Sequence, residues 1–192
     1  MKSLRLSRPH AIMMVGLPGS GKTFFASQFA KTFNAPYIDS LAIEQYTRDA
    51  LSAGQVITLV MNEIAKTGQT FVFEGNADTR ARRTEFARWA RSNGYQPLFI
   101  WTQVDAVTSR DRTAKAKTMT QEEYAAAVRS FSPPHATERP VVISGKHTYA
   151  TQAKVVLHHL SKEARPSADT SEQPTAASPG RAHPTGRSII VR

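Results

Sequence analysis

The chain has 192 residues, a formal net charge of +10 and no cysteine. This length suits one domain with short appendages, and the 40% of hydrophobic residues excludes a chain that is disordered throughout. Without cysteine there are no disulfides and no zinc–thiolate sites, and no apolar run approaches the roughly 20 residues of a membrane span. We therefore expect a cytoplasmic protein with no secretion signal and no membrane partner.

Short apolar runs alternate with helical patterns, which is typical of repeated βα units with a parallel sheet. Five runs are expected to be strands: Ala11–Val15, Pro36–Ile38, Thr70–Phe73, Leu98–Thr102 and Val141–Ile143. Six patterns are expected to be helices: Lys22–Phe33, Thr47–Lys66, Thr79–Ser92, Ala106–Ala116, Gln121–Arg129 and Tyr149–Lys162. The alternation predicts an α/β fold of three layers around a five-stranded parallel sheet.

Local signals mark several boundaries. Asn93-Gly94 is expected to end the third helix, and Thr120 followed by Glu123 resembles a capping box that begins a new one. We divide the chain into a basic N-terminal extension (1–10), a folded domain (11–162) and a disordered tail (163–192) rich in Ser, Thr, Pro and Ala. The last five residues, 188–192, suit either an added strand or an inert end.

The strongest motif lies between the first strand and the first helix. It comprises Gly16, Leu17, Pro18, Gly19, Ser20, Gly21, Lys22 and Thr23. Glycines let the backbone curl until many N–H groups point at one anion, and the helix N-terminus adds partial positive charge. Lys22 is placed to reach the β- and γ-phosphates of ATP, and the Thr23 hydroxyl to hold Mg²⁺. The sequence therefore predicts an ATP-binding phosphate loop.

Two carboxylates follow predicted strands, where parallel α/β sheets bind ligands. Asp39 is a candidate proton acceptor for a substrate hydroxyl, and the alternative is that it caps the next helix. Glu74 is a candidate to bind Mg²⁺ through water or to hold the substrate, and the alternative is an ordinary surface carboxylate. Asp78 is the reserve candidate for these roles.

The phosphate-loop motif, the later Phe-Val-Phe-Glu-Gly-Asn sequence and an arginine-rich segment together resemble the small P-loop kinases, with polynucleotide kinases and zeta-toxin-like kinases the most similar groups. The resemblance implies a parallel five-stranded sheet between helices. It also implies that Asp39, at the end of the second strand, is the catalytic base, although the family's arginine three positions later is Ala42 here. Glu74 resembles the glutamate of the zeta-toxin Glu-Gly-Thr motif, and residues 144–147 correspond to the loop that borders adenine.

Basic residues cluster in two further places. Arg110 and Arg112 lie in a segment that resembles a kinase lid, where an arginine would contact the transferred phosphoryl group; the alternative is a solvated basic helix face. Arg80 and Arg83 begin the helix nearest Glu74 and are candidates to bind an anionic substrate. Most of the net charge lies before the tail, which suits either a nucleic-acid partner or a site for ATP and a phosphorylated substrate.

We interpret the chain as an ATP- and Mg²⁺-dependent kinase with Lys22, Asp39, Arg110 and Arg112 as catalytic candidates. The acceptor stays open between a nucleic-acid 5′-hydroxyl and a small metabolite or nucleotide sugar. The alternative is a nucleotide-dependent ATPase switch that phosphorylates no substrate.

Overall fold

Residues 6–163 are described by a computed structural model. The five residues before them, and residues 164–192 of the disordered tail predicted at 163–192, lie outside the described residues, whereas Glu163 is the last residue of a helix. Within 6–163, no helix is both long enough and apolar enough to cross a membrane.

Within residues 6–163 the strands are β1 (His10–Val15), β2 (Tyr37–Asp39), β3 (Phe71–Glu74), β4 (Gln96–Gln103) and β5 (Val141–Ser144). These five parallel strands form one sheet, in the order β2-β3-β1-β4-β5. The helices are α1 (Lys22–Phe33), α2 (Ser40–Glu44), α3 (Ala50–Thr67), α4 (Arg80–Ser92), α5 (Ala106–Ala116), α6 (Gln121–Ser130) and α7 (Tyr149–Glu163), with one 3-10 turn at Ala136–Glu138. The predicted three-layer α/β fold is therefore confirmed.

The two faces of the sheet carry separate cores because successive side chains of a strand point to opposite faces. Met13 and its neighbours on one face pack against α3 and α4, where Phe86 is the central aromatic side chain. Ile12 and Met14 on the other face pack against α1 and α7, where Phe25 and Phe29 stack. Every residue of β1 is buried, as expected for the middle strand of a covered sheet.

The second predicted helix differs most from the structure. It was expected at Thr47–Lys66, but α3 begins at Ala50 because the Asp49 side chain accepts a hydrogen bond from the Ser52 amide and so caps it. A separate five-residue helix, α2, precedes it directly after β2. The chain thus turns immediately after β2, which keeps Asp39 at the carboxyl edge of the sheet.

Strand β4 begins two residues earlier than expected, in spite of Pro97. The Gln96 amide donates to the Pro9 carbonyl on the β1 side, so the Pro97 nitrogen faces the opposite side. Strand β5 pairs with β4 only from Ile100 onward, so no ladder hydrogen bond is required at Pro97. The predicted capping box at Thr120 and Glu123 is confirmed.

Candidate active site

The phosphate loop curls through backbone conformations that favour glycine. Gly16, Gly19 and Gly21 have φ values of 146°, 73° and 98°. A Cβ atom at Gly16 would lie 2.5 Å from the Thr102 carbonyl oxygen, and one at Gly19 would lie 2.4 Å from the Ser109 carbonyl oxygen. Glycine is therefore needed at both positions for two reasons, the positive φ and the close approach of other backbone. The loop leads into α1, whose N-terminus faces the same space.

Lys22, the first residue of α1, folds its side chain back over the loop. Its Nζ donates to the carbonyl oxygens of Gly16, at 3.0 Å, and Leu17, at 3.1 Å. Burial lowers the pKa of the Lys22 ammonium, and the negative charge of Glu74 opposes this shift. The ammonium thus lies inside the curve of the loop, where the charge of a phosphate chain would offset its desolvation.

Glu74 connects the loop to the neighbouring strands. It is only 6% exposed, and its Oε1 accepts a 2.9 Å hydrogen bond from the Thr23 hydroxyl, while Oε2 accepts one of 2.7 Å from the Tyr37 hydroxyl. Its burial does not fit the alternative of an ordinary surface carboxylate. Burial together with the Glu74 contact raises the pKa of the Tyr37 hydroxyl far above its usual range, so Tyr37 stays a neutral donor.

The donor atoms beside the loop fit Mg²⁺. The Thr23 hydroxyl and the Glu74 carboxylate are hard oxygen groups 2.9 Å apart, and the hydroxyl uses its hydrogen toward Glu74, which leaves its lone pairs for a metal ion. Residues 6–163 contain no cluster of three or more His, Cys, Asp or Glu side chains that would form a dedicated metal cage. Mg²⁺ usually takes one or two protein ligands and completes its shell with phosphates and water, and the chemistry of the Thr23 and Glu74 oxygens fits that requirement.

A cavity of about 850 Å³ opens in front of the loop. Its walls come from four places: the phosphate loop with the first turn of α1, residues 75–78 after β3, the segment from α5 to Phe131, and residues 145–147 after β5. Ser40 and Leu41 at the start of α2, with Met14 of β1 and Glu74 at the end of β3, complete the lining. These elements meet because carboxyl ends of parallel strands share one sheet edge.

Helix α5, the predicted lid, is docked on the phosphate loop. The Ser109 hydroxyl donates to the Pro18 carbonyl oxygen, and Ser109 is completely buried. The Arg112 guanidinium donates to the carbonyl oxygens of Gly19, at 3.4 Å, and Gly145, at 3.1 Å. Arg112 therefore bridges the loop to the predicted adenine border. Arg110 does not line the cavity; its side chain is 53% exposed and lies 3.9 Å from Asp111.

The predicted adenine border is also tied to α5. Lys146 forms an ion pair with Asp105, the residue that caps α5. This contact and the hydrogen bonds from Thr108 hold the pKa of the Asp105 carboxyl well below its usual range, so the pair stays charged at neutral pH. The loop after β5 and the N-terminus of α5 are thus joined at the rim of the cavity.

The two remaining carboxylates differ in position. Asp39 lies opposite Glu74 in the strand register, and its Oδ1 accepts hydrogen bonds from the Leu41 and Ala42 amides, so Asp39 caps α2 as the structural alternative predicts. Asp39 itself does not line the cavity, although the two residues after it do. Asp78 does line the cavity and forms an ion pair of 2.9 Å with Arg82.

Arg80 and Arg83 do not line the cavity, so the interpretation that they bind its substrate requires correction. Arg83 is completely buried; its guanidinium pairs with Glu138 and donates to the carbonyl oxygens of Ala77 and Ser132. These contacts use four of its five N–H donors, and its complete burial leaves no path for a substrate. Arg80 points toward Thr137 on a different surface. The sequence places Arg80 and Arg83 at the start of α4, near Glu74. It does not show on which face of the helix each side chain lies.

Sequence reasoning missed two residues that shape the site. Tyr37 belongs to the predicted strand Pro36–Ile38, and its position two residues before Asp39 places it on the same strand face as Asp39 and toward the same edge of the sheet. Ser109 lies beside Arg110 in the predicted lid, and no sequence pattern identifies its contact with the phosphate loop.

No protein-family model matches the chain, and no curated protein matches it in sequence. Solved structures do resemble it. A gluconokinase from Sinorhizobium meliloti 1021 has a TM-score of 0.61 at 15% identity, over 81% of this chain and 94% of that one. The Mycobacterium tuberculosis APS kinase CysC in complex with AMPPNP and APS has a TM-score of 0.60 at 14% identity, over 80% and 98%.

A third similar structure is the Kti12 protein of Chaetomium thermophilum in complex with ADP-AlF3, with a TM-score of 0.63 at 13% identity over 80% of this chain and 98% of that one. At these identities the likeness establishes the fold. The chain has the P-loop kinase fold.

Proposed function

We propose that the protein is an ATP- and Mg²⁺-dependent phosphotransferase that moves the γ-phosphoryl group of ATP to a hydroxyl group. The observation that carries this proposal is the 2.9 Å hydrogen bond between Thr23, next to the loop lysine, and the buried carboxylate of Glu74. A glycine-rich loop alone binds an anion. A loop joined to a hydroxyl and a carboxylate also provides the oxygen donors that a metal–nucleotide complex needs.

The chain's own groups supply the charge that phosphoryl transfer needs. The loop amides and the Lys22 ammonium would neutralise the β- and γ-phosphates, and Arg112 at the mouth of the loop would stabilise the charge on the transferred group. Arg112 is favoured over Arg110 because only Arg112 contacts the loop. Mg²⁺, when bound through Thr23 and Glu74, supplies further neutralisation of the phosphate oxygens.

The base is proposed to be Asp39. The acceptor oxygen forms a bond to the γ-phosphorus, the bond from that phosphorus to the bridging oxygen breaks, ADP leaves, and the hydroxyl proton passes to the carboxylate. The Oδ1 atom of Asp39 accepts hydrogen bonds from two amides at the start of α2. These bonds orient the carboxylate beside Ser40 and Leu41, the two residues after Asp39 that line the cavity. Asp78 is the competing candidate because it lines the cavity directly.

The walls of the cavity favour an uncharged acceptor. Among residues 6–163, the basic side chains of its lining are Lys22, Arg112, Lys146 and His147, which contact the phosphate loop or lie at the predicted adenine border. The rest of the lining includes Phe24, Leu41, Met119 and Phe131, with Asn76, Asp78 and Ser130 as polar groups. Apart from these groups, the described residues bring no cation into the lining to meet an acceptor phosphate, which favours a small neutral hydroxyl compound over a nucleic-acid 5′-hydroxyl or a nucleotide sugar.

The test is transfer of label from ATP to a panel of neutral sugars, alcohols and nucleosides, with their phosphorylated counterparts and 5′-hydroxyl oligonucleotides run in parallel. We expect a labelled product from a neutral compound, and Lys22→Ala should lower its formation by about 10²-fold or more, since loss of one preorganised charge contact costs that much. Lys31→Ala, which removes an exposed lysine from the same helix, is the matched control.

Two results would contradict the proposal. Equal ATP affinity and turnover in Lys22→Ala would refute the assignment of the phosphate loop. ATP hydrolysis that no acceptor accelerates, but that a protein or nucleic-acid partner does, would favour the nucleotide-dependent switch instead. Label found only in phosphorylated acceptors would leave the phosphotransferase proposal in place. It would refute only the argument that the cavity walls favour an uncharged acceptor.

A further inference from the structure

A second concave surface lies along α4, away from the phosphate loop. We call it the α4 groove; it has a volume of about 710 Å³ and shares no lining residue with the active-site cavity. One wall is the face of α4 that carries Arg80, Thr84, Ala87 and Arg91. Residues 94–99, which include the first four residues of β4, and residues 137–139 form the remainder, together with Arg8 and His159.

The α4 groove is strongly basic. Four arginines line it: Arg8, Arg80, Arg91 and Arg139. Among residues 6–163, the lining has one acidic side chain, Glu138, whose two oxygens are already bound by the buried Arg83 guanidinium. Arg8, Arg91 and Arg139 form no ion pair with any of the described residues, so their charge is available to a ligand.

The spacing of the arginines fits an extended anion. Arg80 and Arg91 lie eleven residues apart on one face of α4, which corresponds to about 16 Å at 1.5 Å per residue. A single phosphate would touch one end of such a row. A nucleic-acid strand presents its phosphates in a row along its backbone, so more than one phosphate would lie along the same length.

The floor of the groove explains why a strand would bind here without reading its bases. Tyr95 and Phe99 lie in the lining but are only 3% and 5% exposed, so neither offers a ring face on which a base could stack. The edge of β4 before Ile100 has no β5 neighbour and is open to a narrow ligand. A duplex would meet only the rim of a groove of this volume.

We propose that the α4 groove binds single-stranded nucleic acid through its phosphate backbone, without sequence preference. The proposal does not depend on the proposed function, because the two sites share no residue. It also gives the basic character of the chain a location apart from the ATP site.

The test is fluorescence anisotropy of a labelled single-stranded oligonucleotide of mixed sequence, about twelve nucleotides long, titrated with the full chain at several salt concentrations. Each phosphate contact to a single strand adds about 0.7 to the slope of log affinity against log salt, so four arginines predict a slope of about −2.8. That slope corresponds to about a 50-fold loss of affinity between about 50 and 200 mM salt.

The decisive variant is Arg8→Gln/Arg91→Gln, which removes two exposed charges from the groove. We expect weaker binding of the oligonucleotide. Its affinity should fall by only about 7-fold between about 50 and 200 mM salt, because two phosphate contacts are gone. The matched control is Arg88→Gln/Lys154→Gln, which removes the same charge from exposed positions outside the groove, one of them on α4 itself. The control should bind like the wild type.

Several outcomes would overturn the proposal. Equal weakening in the two double variants would mean that net charge alone drives binding. A groove variant with unchanged affinity and salt slope would locate the interaction elsewhere. Tighter binding of the corresponding duplex, or groove-dependent binding of anionic lipid vesicles in place of the oligonucleotide, would mean that the ligand class is wrong. Thermal melting of both variants shows whether they are folded, and Arg91→Gln alone is the second variant if the double one is not.

Discussion

Replacing Arg83 by methionine tests whether this residue is structural, as its burial indicates, or binds substrate, as the sequence suggested. Its guanidinium pairs with Glu138 at 2.8 and 3.1 Å and donates to the carbonyl oxygens of Ala77 and Ser132, each at 2.9 Å. Arg83→Met leaves the Glu138 carboxylate and the carbonyl groups of Ala77 and Ser132 without these donors. The Arg83 side chain has no solvent exposure, so the missing donors would not be replaced by bulk water. Breaking one side of a buried pair typically costs about 3–5 kcal/mol.

A loss of this size is easily measured. For a chain of this length, about 1 kcal/mol shifts the melting temperature by about 2–4 °C, so Arg83→Met should melt about 6–20 °C lower than the wild type. Urea unfolding followed by circular dichroism gives the free energy directly. Arg82→Met is the matched control on the same helix: it breaks an exposed pair with Asp78 and should cost about 0.3–0.5 kcal/mol.

A double variant separates the ion pair from simple packing. Arg83→Met/Glu138→Met removes both charges, and we expect it to recover much of the stability lost in Arg83→Met, because apolar pairs often replace buried ion pairs at little cost. If Arg83→Met unfolds at the same urea concentration as the wild type but loses acceptor binding, the structural interpretation is wrong.

The pH dependence of stability provides a second check on the same pair. Burial raises the pKa of the Glu138 carboxyl, but the hydrogen bonds from Arg83 and the His135 amide outweigh it, so the pKa is lowered overall. A depressed folded-state pKa stabilises the fold above the unfolded-state pKa, near 4.3, and this contribution is lost as the pH falls through the folded value. The free energy of unfolding should therefore differ most between wild type and Glu138→Gln at neutral pH, and this difference should become smaller below about pH 4.

Two further predictions concern the active site. Gly19→Ala should weaken ATP binding by about 10-fold or more. The reason is a strain of about 1–3 kcal/mol, because φ at this position is 73° and a Cβ atom would meet the Ser109 carbonyl oxygen. Gly54→Ala, in a helix and with open space around it, is the control and should leave ATP binding unchanged. Asp39→Asn should keep ATP affinity and the cap of α2 but lower acceptor phosphorylation by about 10²-fold or more in single-turnover assays. Wild-type turnover in Asp39→Asn combined with that loss in Asp78→Asn would reassign the base to Asp78.

The sequence predicted the fold because its signals were local and mutually consistent. Alternating strand and helix patterns indicated the parallel sheet, and the phosphate-loop motif lies where a strand leads into a helix. The helices bounded by strong caps, such as the one beginning after Thr120, match closely. The error at Thr47–Lys66 arose because a continuous helical pattern hid the Asp49 cap and the short helix before it.

The site was predicted less completely because side-chain direction depends on tertiary contacts. The motif located the loop and Thr23, and the end of an apolar strand located Glu74, but the pairing of Glu74 with Tyr37 joins two strands that are far apart in sequence. Arg83 was misinterpreted for the same reason. Its partner Glu138 is 55 residues away and lies in the loop between Pro134 and Pro140, so no spacing rule relates them.

The buried Arg83–Glu138 pair lies between the two surfaces that carry our proposals. Ala77, whose carbonyl accepts from Arg83, lines the active-site cavity, while Glu138 lines the α4 groove. The Ser132 carbonyl also accepts from Arg83, and the Ser132 amide donates to the Asp78 carbonyl, so the segment after α6 is fixed to the end of the β3–α4 connection. Loss of Arg83 would disturb both surfaces at once. A change in nucleic-acid or ATP binding in an Arg83 variant therefore identifies neither site, and each proposal has to be tested with exposed residues of its own surface.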